Sequence, residues 1–240
     1  LVNLAVEDDG KGIASEAAFR AMANVGPGDK ALAPAFVKLL DHKNGHVQYV
    51  AMEKCGLLRS KEALPKMIKG LKSIDKNANG KDAEWRIRGL IVGLGKYGKD
   101  GLPELLKLYK GTSDDIVRRF ALGTIQAIDD KESLPQFMEI VRNKNEDLKI
   151  KSVAIQMVGK LGAKENMPEL MEIYKGEKND VAQYNLIEAV GNSKSETAIP
   201  FLQEILSKDL DESNRAGAAH ALEKVGGPKA IQILEDALKK

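Results

Sequence analysis

Apolar residues recur along this chain at helical rather than strand spacing, and they do so in two alternating kinds of phrase. The first reads Leu-Pro-Glu-Leu-Leu-Lys-Leu-Tyr at 102–109, Met-Pro-Glu-Leu-Met-Glu-Ile-Tyr at 167–174 and Ile-Pro-Phe-Leu-Gln-Glu-Ile-Leu at 199–206. Apolar side chains three and four places apart share one face of a helix. Proline fits such a phrase in the first turn, where its missing N–H has no intrahelical partner, so each phrase predicts a helix opening at its proline. The second phrase is clearest at 150–162 and 214–226, where a small or apolar residue recurs at four-residue spacing. The matching pairs are Ala21 and Val25, Ala51 and Cys55, Leu90 and Leu94, Ala121 and Ile125, Ala154 and Val158, Leu186 and Val190, and Ala218 and Leu222. They predict a second helix in each unit, with small residues that let its neighbours come close. Turns rich in breakers and caps, such as 111–115, 176–180 and 209–213, separate the two kinds of helix.

The alternation is periodic. Pro34, Pro65, Pro103, Pro135, Pro168 and Pro200 are followed by Gln232 in the equivalent place, at intervals of 31, 38, 32, 33, 32 and 32 residues. The distance from the second member of each pair to that position is ten residues in five units and nine in two, so both phrases keep one register. A fixed period of this length is the signature of a helical repeat array, in which each unit buries its apolar face against its neighbours.

Val117-Arg118, Ala218-Ala219, Leu94-Gly95 and Ala198-Ile199-Pro200 together match a known phrase: a β-branched residue, Arg, two Ala, then Leu-Gly and an Ile-Pro opening the next helix. In these residues the chain resembles the HEAT-like repeat family, in particular the short bacterial variety first noticed in phycobilin lyases, over nearly its whole length. The resemblance implies an all-α, right-handed α-solenoid of about seven helical hairpins forming one array over 1–240, with proline-opened helices outside and second helices lining a concave inner face. It also implies that Arg118, Lys151 and Arg215, at the family's Arg position, form a ladder to turn acids such as Asp115 and Asp147. Gln48 and Gln183 depart from the family by replacing that Arg, and the third unit is ambiguous by one residue around Trp85-Arg86-Ile87-Arg88. No activity follows, since fold and function separate.

Residues 1–8 read as the last two turns of an outer helix. With neither an initiator Met nor a basic-then-apolar leader, they predict a chain that starts mid-repeat as a processed or truncated product, a removed signal and removed repeats both fitting. Residues 227–240 read as a helical cap, with charges where a further repeat would need apolar residues. The long interval holds an inserted loop at 73–82.

Composition narrows the partners. Of the 240 residues 43% are hydrophobic and 30% charged, too apolar for a disordered chain and too interrupted for a membrane span. A net charge of +2 makes no whole-chain case for nucleic acid or membrane, although residues 1–120 carry 21 basic and 15 acidic side chains and 121–240 carry 16 and 20. The single cysteine, Cys55, excludes an intrachain disulfide and leaves the compartment open, cytoplasmic or exported.

At 100° per residue, the position two before each first core residue points away from the core. It holds Phe19, Tyr49, Arg88, Arg119, Ser152, Tyr184 and Ala216. Aromatic and Arg side chains carry much of the energy of protein interfaces, so Phe19, Tyr49, Arg88, Arg119 and Tyr184 are the candidate partner-binding stripe. Arg86, Arg88, Arg118 and Arg119 form a short basic cluster, shorter than a phosphate-tracking stripe. Asp75, Asn77 and Asn79 place oxygens like the opening of a calcium loop, but its twelfth position is Arg86 rather than a bidentate Glu. His42, His46 and His220 lack metal-ligand spacing, and Cys55 sits at a core position unsuited to a nucleophile. The reading is a non-catalytic protein–protein interaction scaffold that needs no cofactor and binds a protein or peptide in its groove. A bilin-lyase-like or other ligand-handling role and nucleic-acid binding are the alternatives.

Overall fold

The computed structural model describes residues 21–72 apart from 23, 81–208, and 211–239, and the statements below concern these residues. Their regular structure is all helical, in two compact units, residues 1–128 and 129–240. In the first unit the proline-opened helices are α1 (Ala33–Lys38), α3 (Ala63–Lys72) and α5 (Leu102–Gly111), and the second helices are α2 (Gly45–Leu57), α4 (Lys81–Lys96) and α6 (Asp115–Gln126). The second unit runs through α7 (Leu134–Arg142), α8 (Leu148–Gly176), α9 (Asp180–Gly191), α10 (Ile199–Lys208), α11 (Glu212–Val225) and α12 (Gly227–Leu238). Gly162 interrupts α8 with φ −163° and ψ 41°, so α8 is a second helix and a proline-opened helix joined at one residue, Pro168 lying near the start of the latter.

Local chemistry sets these boundaries. Seven places before the first core residue, Asn44, Asp114, Asp147, Asn179 and Asp211 each accept a bond from a backbone N–H of the first turn, which satisfies an otherwise orphaned donor. A 3₁₀ turn leads into α1, α5, α7 and α10. The last unit departs from the expectation that Gln232 replaces the proline: α12 opens earlier, at Gly227, with Pro228 in its first turn. Gly226 and Gly227 have φ of 68° and 82°, left-handed values that glycine adopts without strain. The Gly226 N–H closes α11 on the Leu222 carbonyl, and the chain enters α12 directly.

Second helices pack on one another as α2 on α4 on α6, and as α8 on α9 on α11, while the proline-opened helices form the other layer of each unit. All twelve residues of the six pairs from Ala51/Cys55 to Ala218/Leu222 are at most 1% exposed, which settles the third unit's register on Leu90 and Leu94. Ala21 and Val25 are half-buried.

The contact between successive second helices repeats in register. Five places beyond its first core residue each helix offers Gly56, Gly95, Gly159 or Gly191, and three places beyond its own the next helix offers Gly93, Thr124, Ala189 or Ala221. A Cβ placed on Gly56 would stand 2.2 Å from the Gly93 carbonyl oxygen, and one on Gly191 2.6 Å from the Ala221 Cβ. Gly95 likewise faces the Thr124 Cγ2 at 2.4 Å, while at Gly159 the fit is looser, 3.0 Å from Ala189.

Gly93→Ala would put its Cβ 2.5 Å from the Met52 carbonyl oxygen, and should cost about 1–3 kcal/mol of stability. In exposed mid-α6, Gly123 has nothing within 4 Å of the equivalent point, and Gly123→Ala should add about 0.5–1 kcal/mol. Urea unfolding midpoints of the two variants should therefore move in opposite directions.

Candidate partner-binding face

The stripe residues lie on second helices, Tyr49 on α2, Arg88 on α4, Arg119 on α6 and Tyr184 on α9; Phe19 lies outside the described residues, as do Asp75, Asn77 and Asn79. Lys81 and Asp82, the end of the expected inserted loop, already belong to α4. Tyr49 is half-buried, Arg88 and Arg119 are exposed, and Tyr184 is 36% exposed.

In the first unit the stripe becomes a cluster. The Tyr49 ring meets the edge of Trp85 at 5.2 Å between centroids, and His46 lies 4.8 Å from Trp85 and stacks parallel to Tyr49 at 6.3 Å. Arg88 sits between two rings, its guanidinium carbon 6.0 Å from the centre of Trp85 and 5.8 Å from that of Phe120. Such cation–π contacts hold an Arg in place while its N–H edges stay available. Its ion pair with Glu84 takes one of those edges. Burial first, and Glu53 second, raise the Tyr49 pKa above its ordinary value against the opposing pull of Arg88, so the hydroxyl stays protonated. Arg119 donates from Nε to the Asp115 carbonyl.

His46 and Trp85 occupy a position the sequence reading passed over, five before the first core residue and so one turn from the stripe. The same position holds Ile116, 67% exposed, and Val181, 55% exposed. Apolar residues at this register in three units, Trp85, Ile116 and Val181, with Lys149 and Ser213 in two others, were the signal that could have found Trp85. In the second unit Tyr184 lies against Gly217, where an added Cβ would stand 3.0 Å from two ring carbons. At the same register Gly89 meets the Tyr49 backbone instead, an added Cβ standing 2.7 Å from the Tyr49 Cα, so of the two tyrosines only Tyr184 has its ring against a glycine of the next helix. Beside Tyr184, Glu188 takes bonds from Lys224 at 2.6 Å and His220 at 3.0 Å.

The ladder differs from the one the resemblance implies. Arg118 does pair with Asp115 at 3.0 Å and donates to the Thr112 carbonyl. Asp147, however, is used in capping α8, and Lys151 reaches Glu177 at 2.5 Å. Gln183 donates to the Glu177 carbonyl and accepts from Asn214, and Gln48 accepts from Arg86 at 2.8 Å. Both glutamines thus do what Arg cannot, since Arg has no acceptor.

A family model described as HEAT repeats matches residues 102–189 and 167–240, together more than half of the chain. The chain belongs to the HEAT-repeat family. No curated protein matches it. Among solved structures it is similar to the complex of CpcE and CpcF of phycocyanin lyase from Nostoc sp. PCC7120, at 16% identity and a TM-score of 0.39, covering 86% of this chain and 94% of that one.

Elsewhere in this HEAT-repeat chain, side chains with chemical potential are tied into structure. A cleft of about 350 Å³ between α7 and α8 is walled by Arg142 bonded twice to Glu169, and by Lys151 with Glu177. His42 Nδ1 accepts from the Asn44 N–H. Cys55 is fully buried, and burial above all, with Glu62 adding and Lys66 opposing, pushes its thiol up to about 12. At neutral pH it should resist a thiol reagent in the native protein and react on adding denaturant; stoichiometric native labelling would contradict its placement.

Burial works against the charge of Glu177, but its bonds from Lys151 and from the Asn179 and Lys178 N–H groups outweigh this and hold its pKa below the ordinary value. A carboxylate so depressed stabilises the fold above its unfolded pKa, and that contribution fades as pH falls through the folded one. Lys151→Met removes the partner of this shielded carboxylate and should cost about 1–3 kcal/mol at neutral pH. Thermal melts over an acid series should show the gap from the parent protein closing as Glu177 protonates.

Proposed function

We propose that the chain is a non-catalytic scaffold, a single HEAT-repeat array that binds a protein or peptide partner on the face formed by its second helices. The observation that carries this reading is the cluster of Tyr49, Trp85, Arg88 and Phe120, large side chains partly exposed on three successive helices and fixed by mutual contact. Residues of these types bury much area at low entropic cost and supply the anchors of protein interfaces. Arg119 and Tyr184 extend the reading along the register. Glu53, Glu84 and Asp115 on the same helices interrupt the basic residues, which speaks against tracking of a phosphate backbone. Among the described residues no helix is long and apolar enough to cross a membrane.

The test is affinity capture from source lysate with the parent chain and with a Tyr49→Ala, Arg88→Glu, Arg119→Glu, Tyr184→Ala variant of matched helicity. A partner held through this face should be retained by the parent and depleted at least about tenfold on the variant. Equal retention of every captured protein by both would remove the face from the account.

A further inference from the structure

Resting on that reading, the geometry points to an acidic peptide segment as the occupant of the first unit's face: one apolar side chain against Tyr49 and Trp85, with carboxylates beyond it on Arg88 and Arg119. Three observations carry this. First, the aromatic part is a seat. Tyr49 and Trp85 meet edge to face at 5.2 Å across two helices, both half-buried, with His46 closing one side. Rings packed against each other lose little freedom when a further apolar group joins them.

Second, the charge beside the seat is positive and prearranged. Arg88 lies between Trp85 and Phe120, and among the described residues its ion pair is the single one with Glu84. A guanidinium has five donors, so the contact with Glu84 leaves room for another carboxylate, and Arg is the side chain best shaped to take one in two-pronged fashion. Arg119 is exposed on the adjoining helix with its Nε on the Asp115 carbonyl. Packed helices lie roughly 8–10 Å apart and an extended chain rises about 3.3 Å per residue, so the two arginines suit carboxylates about three residues apart.

Third, the unit as a whole favours the same sign. Residues 1–128 carry 21 basic and 15 acidic side chains, against 16 and 20 in 129–240. Complementary charge raises the rate of encounter and rejects partners of the wrong sign. A nucleic acid would also bring rings and negative charge, but Glu53, Glu84 and Asp115 would then face phosphates at every backbone step. A peptide can place its carboxylates only where the arginines are.

Trp85, the chain's single tryptophan, reports on the site directly. Its emission would be followed while the whole chain is titrated with a synthetic peptide of one phenylalanine followed by glutamate at every third position with serine between. The same peptide with glutamine or lysine for glutamate, and a deoxythymidine oligonucleotide, serve as comparisons. The expected result is a saturable change with the acidic peptide. It should weaken about tenfold in Arg88→Glu and again in Arg119→Glu, with helicity unchanged, and much less in Lys164→Glu, an exposed lysine of the second unit. Binding of the glutamine or lysine peptide as tightly as the acidic one would overturn the acidic assignment while leaving a peptide-binding face. Tighter binding of the oligonucleotide would overturn it in favour of nucleic acid. Silence of Trp85 toward every probe would overturn the site, whatever the capture experiment shows of Tyr184.

Discussion

The close approach of successive second helices is the constraint from which the rest follows. Gly56 against Gly93, Gly95 against Thr124, Gly159 against Ala189 and Gly191 against Ala221 are one contact made four times. A methyl would overlap the neighbour at Gly56, Gly95 and Gly191 and crowd it at Gly159, so the helices meet through backbone and small groups, and dispersion contacts accumulate along their length. The proline-opened helices supply the larger apolar side chains of the other layer, among them Phe36, Leu105 and Phe137. With helices this near, side chains within one turn of the same register position on neighbours fall within ring-contact distance. This is why Tyr49 meets Trp85, why Arg88 reaches Phe120, and why Tyr184 needs Gly217 beneath it. The exposed face is a consequence of the packing at the glycines.

Polar groups at the helix starts extend the same order. Asn44, Asp114, Asp147, Asn179 and Asp211 cap successive second helices at one register position. Four residues on, Gln48, Arg118, Lys151 and Gln183 turn to a neighbouring loop or helix. A buried polar group has to find a partner or destabilise the fold, so these side chains form chains of bonds rather than isolated pairs. The second unit shows it best: Lys151 to Glu177, the Glu177 carbonyl to Gln183, and Gln183 to Asn214.

Much of this was legible in the sequence because periodicity is a one-dimensional property. The all-α repeat, the buried pairs and the helix openings at proline follow from spacing and from proline's missing N–H. The partner of Lys151 was not legible, because Asp147 lies closer in sequence but is committed to its cap, while Glu177 comes near only when α8 folds back at Gly162. Gln232 likewise held the proline's interval, yet the paired glycines before it started α12 early. Of the cluster, the stripe position was readable from helical geometry, and it named Tyr49 and Arg88. His46, Trp85 and Phe120 were missed because their roles depend on which helices adjoin, and that is a property of three dimensions.

The proposed function puts binding on one layer of the fold and support on the other. Its most direct test is amide hydrogen exchange of the whole chain with and without a captured partner. Protection gained in α2, α4 and α6, with α1, α3 and α5 unchanged, is the predicted result. Protection confined to the proline-opened helices would contradict it, and would leave the Tyr49–Trp85–Arg88 cluster as packing alone.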